Sequence, residues 1–99
     1  MNREIIKKIS HYLTGKPVNR AWIFGSVSRG DDTKDSDVDL LVEFDPAAEV
    51  DLFDHVSMTQ DLEDLLGRVV DIVSEGTLFP WVKQHVDNDK ILIYERNSA

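Results

Sequence analysis

Hydrophobic residues recur at intervals of three and four positions in two stretches of the chain, and this spacing predicts two amphipathic helices. The first helix covers residues 3–14, and Gly15 and Pro17 end it. The second is longer, covers residues 50–66 and stops at Gly67. The apolar residues at helical spacing are Ile5, Ile6, Ile9, Tyr12 and Leu13 in the first helix, and Leu52, Phe53, Val56, Leu62, Leu65 and Leu66 in the second.

Shorter segments rich in β-branched and aromatic residues alternate with these helices and predict strands. They cover residues 18–24, 38–44 and 68–73. A short helix capped by Ser26 and running to Arg29, a polar loop over 30–36 and a helix over 77–86 complete the pattern. The apolar run 91–94 is either an edge strand or a final helical turn. This order predicts an α/β (α+β) fold in which helices flank a small mixed β-sheet.

Composition limits the chain to one small folded domain. Its 99 residues cannot bury two cores, so we expect a single domain over residues 1–99. A hydrophobic share of 41% and a charged share of 30% are typical of a globular protein and exclude a disordered one. The absence of cysteine excludes disulfides and cysteine-rich zinc sites and fits a cytoplasmic protein. No apolar run approaches the length needed to span a membrane.

The net charge of −8 argues against broad binding to nucleic acid, because phosphate backbones repel such a surface. The acidity has two interpretations. Solubility alone explains it simply, and a docking surface for a basic protein partner explains it as well.

Three aspartates are the candidates for chemistry. Ten residues after Gly25-Ser26 the sequence reads Asp37-Val38-Asp39, and Asp71 lies inside the predicted strand 68–73. Residues two positions apart on a strand face the same way, so Asp37 and Asp39 can hold one hard cation such as Mg²⁺, or two. Two ions would stabilise both the attacking and the leaving oxygen of a phosphoryl transfer. Asp71 can bind the second ion or accept a proton from the acceptor.

The Gly-Ser turn before these aspartates is suited to phosphate. Gly25 allows close approach of a phosphate, and Ser26 adds a hydroxyl where exposed helix amides favour anions. An ordinary turn with a serine cap is the alternative. Arg29 lies one turn further on, where its guanidinium could neutralise a triphosphate, although a surface pair with Asp31 or Asp32 would explain it too.

The aromatic and histidine residues give weaker evidence of function. His11, His55 and His85 lack the spacing of metal ligands, and we predict none of them to be one. We expect Trp22 in the core. Phe79 and Trp81 belong either to the core or to a surface that faces a partner.

The motifs WIFGSVSRG at residues 22–30 and DSDVDLLV at 35–42 resemble the nucleotidyltransferase superfamily that includes DNA polymerase β. That family carries Gly-Ser, a spacer of similar length, Asp-x-Asp and a third strand aspartate. The short chain resembles the minimal nucleotidyltransferases, many of which are antitoxins. The resemblance implies a nucleotidyltransferase core in which Gly25, Ser26 and Arg29 bind nucleotide. It also implies that Asp37, Asp39 and Asp71 are the catalytic, Mg²⁺-binding carboxylates.

The resemblance also implies an activity and a partner. Antitoxins of this class transfer AMP from ATP to a tyrosine of a HEPN-domain ribonuclease toxin, which silences it; neither direct nucleic-acid binding nor a membrane is implied. Val27 departs from the pattern, since many relatives carry a basic residue there. Two alternatives stay open: an antitoxin that masks its toxin without catalysis, and a nucleotidyltransferase acting on a small molecule.

Overall fold

The computed structural model describes residues 3–96, which form helices around a four-stranded sheet. Their bounds in chain order are α1 Arg3–Leu13, β1 Val18–Phe24, α2 Gly25–Arg29, β2 Val38–Phe44, α3 Leu52–Leu66, β3 Val70–Ser74, α4 Pro80–Asp89 and β4 Ile91–Glu95, with a 3-10 turn at Pro46–Ala48. The predicted order of helices and strands is confirmed.

The sheet is mixed, as predicted, with strand order β3-β2-β1-β4. β1 runs antiparallel to both β2 and β4, whereas β2 and β3 run parallel. The apolar run after residue 90 is therefore an edge strand. The parallel pair needs a crossover connection, and α3 supplies it.

One face of the sheet carries the hydrophobic core. Alternate residues of the strands point to the same face, and they meet the apolar sides of α1 and α3. The fully buried members of this cluster are Ile9, Leu13, Val18, Ala21, Ile23, Val27, Val38, Leu40, Val42 and Leu62. The opposite face of β2 and β3 carries the alternate residues of these strands, which point away from this cluster.

Several predicted boundaries were wrong by a few residues. The long helix begins at Leu52, because Asp51 caps it and exchanges hydrogen bonds with Asp54 in a capping box. The third strand begins at Val70, so Arg68 precedes it. The last helix begins at Pro80, whose fixed φ and missing N–H suit a first helical position.

Helical spacing of apolar residues did not guarantee burial. Leu52, Phe53 and Val56 on α3 are exposed, as are Phe79 and Trp81, whose rings stack. Trp22 was expected in the core but is only half-buried, since it alternates with Ala21 and Ile23 and faces away from them, under the ammonium of Lys90. Within residues 3–96, none of the helices has the length and apolar character to cross a bilayer.

The outer edge of β3 is closed by side chains of α3. The Val70 N–H donates to Glu63 Oε2 over 3.0 Å, and His55 Nε2 lies 3.0 Å from the Ile72 carbonyl oxygen. Satisfying backbone groups in this way makes an edge strand a poor template for another strand. His55 therefore has a structural position.

The burial difference along α3 predicts different effects for two identical substitutions. Leu62 is 0% exposed and Leu52 is 74% exposed. We expect Leu62→Ala to lower the free energy of unfolding by about 2–5 kcal/mol, since it removes transfer energy and leaves a cavity. Leu52→Ala, the matched control, should change it by less than about 0.5 kcal/mol. Urea denaturation measures both, and equal losses would contradict the placement of the core.

Candidate active site

The parallel pairing of β2 and β3 sets Asp39 directly opposite Asp71. Both side chains lie on the sheet face away from the core, because the next residues, Leu40 and Ile72, are buried in it. β2 has the predicted bounds 38–44, so Asp37 lies one residue before the strand, although the strand spacing was applied to it, and its side chain is exposed. All three predicted carboxylates thus lie at the start of two neighbouring strands.

The surroundings of Asp39 disfavour the ionised form of its carboxyl. Burial raises the pKa of its carboxyl above the ordinary value, and the negative charges of Asp71 and Asp37 raise the pKa further. The guanidinium of Arg29 opposes the shift, which places this cation within electrostatic range of the carboxylate. The site therefore concentrates negative charge that a bound cation would stabilise.

Gly25 lies against Asp39. It follows the last residue of β1, which pairs with Asp39 in the sheet, and its φ is +73°. A Cβ built at this position would overlap Asp39 Oδ2. Glycine is required here both by the left-handed backbone and by the space that the carboxylate occupies.

The turn that follows differs from the prediction in one respect. Phe24, not Ser26, is the N-cap residue of α2, and no side chain caps the helix. Ser28 Oγ donates to the Gly25 carbonyl oxygen over 2.8 Å and so braces the turn from within. Ser26 still lies in the first turn, directly after the glycine that contacts Asp39. Val27 is fully buried in the core, so packing determines its identity.

Arg29 is paired with acids. Its Nη1 donates to Asp89 Oδ2 at the end of α4 over 2.8 Å, and its Nε donates to Asp31 Oδ2 over 3.3 Å. Pairing with Asp31 was one of the two alternatives considered, and Asp32 instead pairs with Arg68. Exposed ion pairs of this kind contribute little free energy and exchange partners readily.

The donor set fits a hard cation, although residues 3–96 contain no cluster of three or more His, Cys, Asp or Glu side chains closed around a metal position. Mg²⁺ rarely occupies an all-protein cage; it keeps several waters and binds one or two carboxylates together with substrate phosphates. Here the three carboxylates repel one another, and Gly25 lies against Asp39. Together they provide such a partial site.

Sequence reasoning missed Arg68. It was assigned to a strand, whereas its side chain is buried before β3 and bonded to Asp32 and to the Ser36 carbonyl oxygen. Both partners lie in the loop that leads to Asp37. Its position just before an apolar strand was the only signal in the sequence, and it did not indicate burial.

Replacing Asp39 with Asn tests the repulsion directly. The folded protein holds the Asp39 proton to a higher pH than the unfolded chain does, so wild-type stability falls as pH rises through that interval. We expect Asp39→Asn to melt at a higher temperature than wild type at neutral pH in chelator. The gain should shrink as the pH falls into the range where the wild-type carboxyl binds its own proton. Asp35→Asn, at an exposed acid of the preceding loop, is the control. Lower melting of Asp39→Asn at every pH would overturn the prediction.

Two alanine variants separate backbone strain from close approach. Gly25 and Gly30 both have positive φ, at 73° and 79°, but a Cβ at Gly30 meets open space. We expect Gly30→Ala to cost about 1–2 kcal/mol of unfolding free energy for the left-handed conformation alone. Gly25→Ala should cost more, because the Asp39 carboxylate must also move. Denaturant titration measures both, and equal costs would show that Asp39 does not constrain the turn.

Comparison with known proteins gives the family. Residues 7–99 match the family described as "Polymerase beta, Nucleotidyltransferase". A proposed protein adenylyltransferase of Methanocaldococcus jannaschii is 36% identical over 88 residues, covering 89% of this chain and 92% of that protein. A proposed minimal nucleotidyltransferase of known structure has a TM-score of 0.75 and 38% identity, covering 90% of this chain and 89% of the other.

A further likeness shows the fold alone. It is to a chain in the structure of a tri-AMPylated Shewanella oneidensis HEPN toxin in complex with MNT antitoxin. The TM-score is 0.73 and the identity 21%, covering 97% of this chain and 74% of that chain. The motifs, the fold and the first two similarities agree, and the chain belongs to the polymerase β-type nucleotidyltransferases, as its Gly-Ser and Asp-x-Asp motifs predict.

Proposed function

We propose that this nucleotidyltransferase is a Mg²⁺-dependent antitoxin that transfers AMP from ATP to a tyrosine of a cognate HEPN ribonuclease toxin. The observation that carries the proposal is the opposition of Asp39 and Asp71 on parallel strands, with Asp37 beside them and Gly25 against Asp39. This arrangement supplies oxygen ligands next to a turn that a phosphate can approach closely.

In the proposed reaction, Gly25 and Ser26 hold the triphosphate on the backbone amides of the turn, and Asp37, Asp39 and Asp71 hold Mg²⁺. When bound, the metal neutralises charge on the reacting phosphate. The tyrosine oxygen of the acceptor forms a bond to the α-phosphorus, the bond to the β-phosphate oxygen breaks, and pyrophosphate leaves. Asp71 accepts the phenol proton, a role that its exposed position on an edge strand allows.

Arg29 contributes to nucleotide binding by exchanging its partners. Its guanidinium is half-exposed and bonded to Asp31 and Asp89. A triphosphate offers it stronger, charge-assisted hydrogen bonds, so we expect the nucleotide to displace one or both carboxylates. Its electrostatic effect on Asp39 supports a place beside the metal site.

The charge of the chain and the names of similar proteins support a protein acceptor. The net charge of −8 disfavours contact with nucleic acid and suits a partner whose RNA-binding surface is basic. The relative from Methanocaldococcus jannaschii is named for transfer to protein, and the Shewanella oneidensis complex holds an AMPylated HEPN toxin. We place the protein in the cytoplasm, where ATP and Mg²⁺ are available and a cysteine-free chain needs no oxidising environment.

Intact-mass spectrometry of the toxin tests this proposal. A candidate HEPN partner, co-expressed with this chain, is incubated with it, ATP and Mg²⁺. We expect the toxin to gain adenylyl units, and Asp37→Asn combined with Asp39→Asn to abolish the gain, because the metal loses two ligands. Asp35→Asn, which removes an exposed carboxylate from the same segment, should leave the gain intact.

The same mixture distinguishes the other functions. A toxin that is silenced but unmodified, and equally silenced by the double variant, would replace catalysis by masking. ATP consumption without any toxin, with a small alcohol or amine as acceptor, would make the toxin the wrong substrate.

A further inference from the structure

Arg68 connects the segment before β3 to the loop that carries Asp37. Its Nε donates to the Ser36 carbonyl oxygen over 2.9 Å, and its Nη1 donates to Asp32 Oδ2 over 3.2 Å. The side chains of Arg68 and Asp32 are only 8% and 15% exposed. The contact therefore lies inside the protein, unlike the ion pairs of Arg29.

The loop that is hydrogen-bonded to Arg68 is itself compact. The Ser36 N–H donates to the Thr33 carbonyl oxygen over 3.0 Å, and the Thr33 N–H donates to Ser36 Oγ over 2.9 Å. Asp32 immediately precedes this turn. Both ends of the turn are thus fixed by one guanidinium.

Asp37 is held on both sides by consecutive residues. Before it, the Ser36 carbonyl oxygen accepts from Arg68; after it, the Val38 N–H donates to the Val69 carbonyl oxygen over 2.9 Å. Because Asp37 lies outside β2 and its side chain is exposed, these two bonds set the position of its backbone.

Stability is a poor explanation for this arrangement. Arg68 Nη2 is buried and has no hydrogen-bond partner, and an unpaired buried donor lowers the stability of the folded protein. Buried ion pairs often add little net stability over apolar residues of similar size. A lysine would reproduce the two bonds poorly, because its donors all lie on one nitrogen, whereas the guanidinium presents donors on separate nitrogens in a rigid plane.

We propose that Arg68 is a positioning residue, which fixes Asp37 for binding of the metal and nucleotide by holding the Ser36 carbonyl oxygen and the Asp32 carboxylate. The inference rests on the proposed function in one respect, the role of Asp37 as a metal ligand. The hydrogen bonds of Arg68 go to Ser36 and Asp32 in the loop that leads to Asp37, so its effect passes through the loop.

The experiment measures binding of a fluorescent ATP analogue, N-methylanthraniloyl-ATP, with Mg²⁺ and in EDTA. We expect Arg68→Met to raise the Mg²⁺ concentration for half-maximal binding by about 10- to 100-fold, as loss of a residue that orients a metal ligand does. Binding in EDTA should stay unchanged, since the Gly25–Ser26 turn does not depend on Arg68. Hydrogen exchange of the amides of residues 31–37 should accelerate in the same variant, without any ligand.

Two further variants make the result specific. Arg20→Met is the matched control, because Arg20 also pairs with two carboxylates, those of Glu43 and Glu95, but on an exposed part of the sheet. It should leave the Mg²⁺ dependence unchanged. Arg68→Lys keeps the charge beside Asp32 but lacks the planar arrangement of donors on separate nitrogens, so we expect a partial rescue. It also serves as the test if Arg68→Met does not fold.

The outcomes separate the two proposals. Asp37→Asn should raise the Mg²⁺ concentration for half-maximal binding. If it does so while Arg68→Met and Arg68→Lys leave this concentration at the wild-type value, Arg68 does not position Asp37. If Arg68→Met weakens binding of the ATP analogue equally with and without Mg²⁺ and also lowers the melting temperature, Arg68 has a merely structural role. If Asp37→Asn itself has no effect, the proposed metal site fails, whatever Arg68 does.

Discussion

Repulsion among carboxylates at the start of two parallel strands is the constraint around which this small protein is built. Asp39 and Asp71 face each other across β2 and β3, and burial adds to the cost of ionising Asp39. The opposite face of the same strands compensates, because it carries the buried hydrophobic core. A chain of 99 residues can keep such a site only because one sheet face stabilises what the other destabilises.

The position of the site at a sheet edge determines what can reach it. β3 is an edge strand, but Glu63 and His55 occupy outward backbone groups of Val70 and Ile72. Another strand therefore has little to pair with there, whereas the Asp71 side chain stays exposed. In the proposed function, an acceptor would meet the carboxylates where Asp71 is exposed. This geometry agrees with the proposed protein acceptor, which would cover the site when bound.

Sequence reasoning succeeded where the signal was local. The strands, the Gly-Ser turn and the Asp-x-Asp spacing follow from neighbouring residues, and the mixed sheet follows from their order. It failed where distant residues decide. Periodicity placed Phe53 on an apolar helix face, but nothing in the described chain covers that face. The bond from Arg29 to Asp89 spans 60 positions, and that from Arg68 to Asp32 spans 36. Such pairs depend on the folded topology, which no local pattern contains.

Arg29 and Arg68 have the same side chain but differ in burial, and this difference suits them to different tasks. Arg29 is half-exposed, so water weakens its bonds to Asp31 and Asp89, and in the proposed function a phosphate would replace them at little cost. Arg68 is buried, so breaking its bonds would leave a charge inside the protein, and its partners stay fixed. The exchangeable cation lies within electrostatic range of Asp39, whereas the fixed one holds the backbone that leads to Asp37. The proposed function, in which the site binds and releases nucleotide, needs both properties, and the difference in solvent exposure provides them.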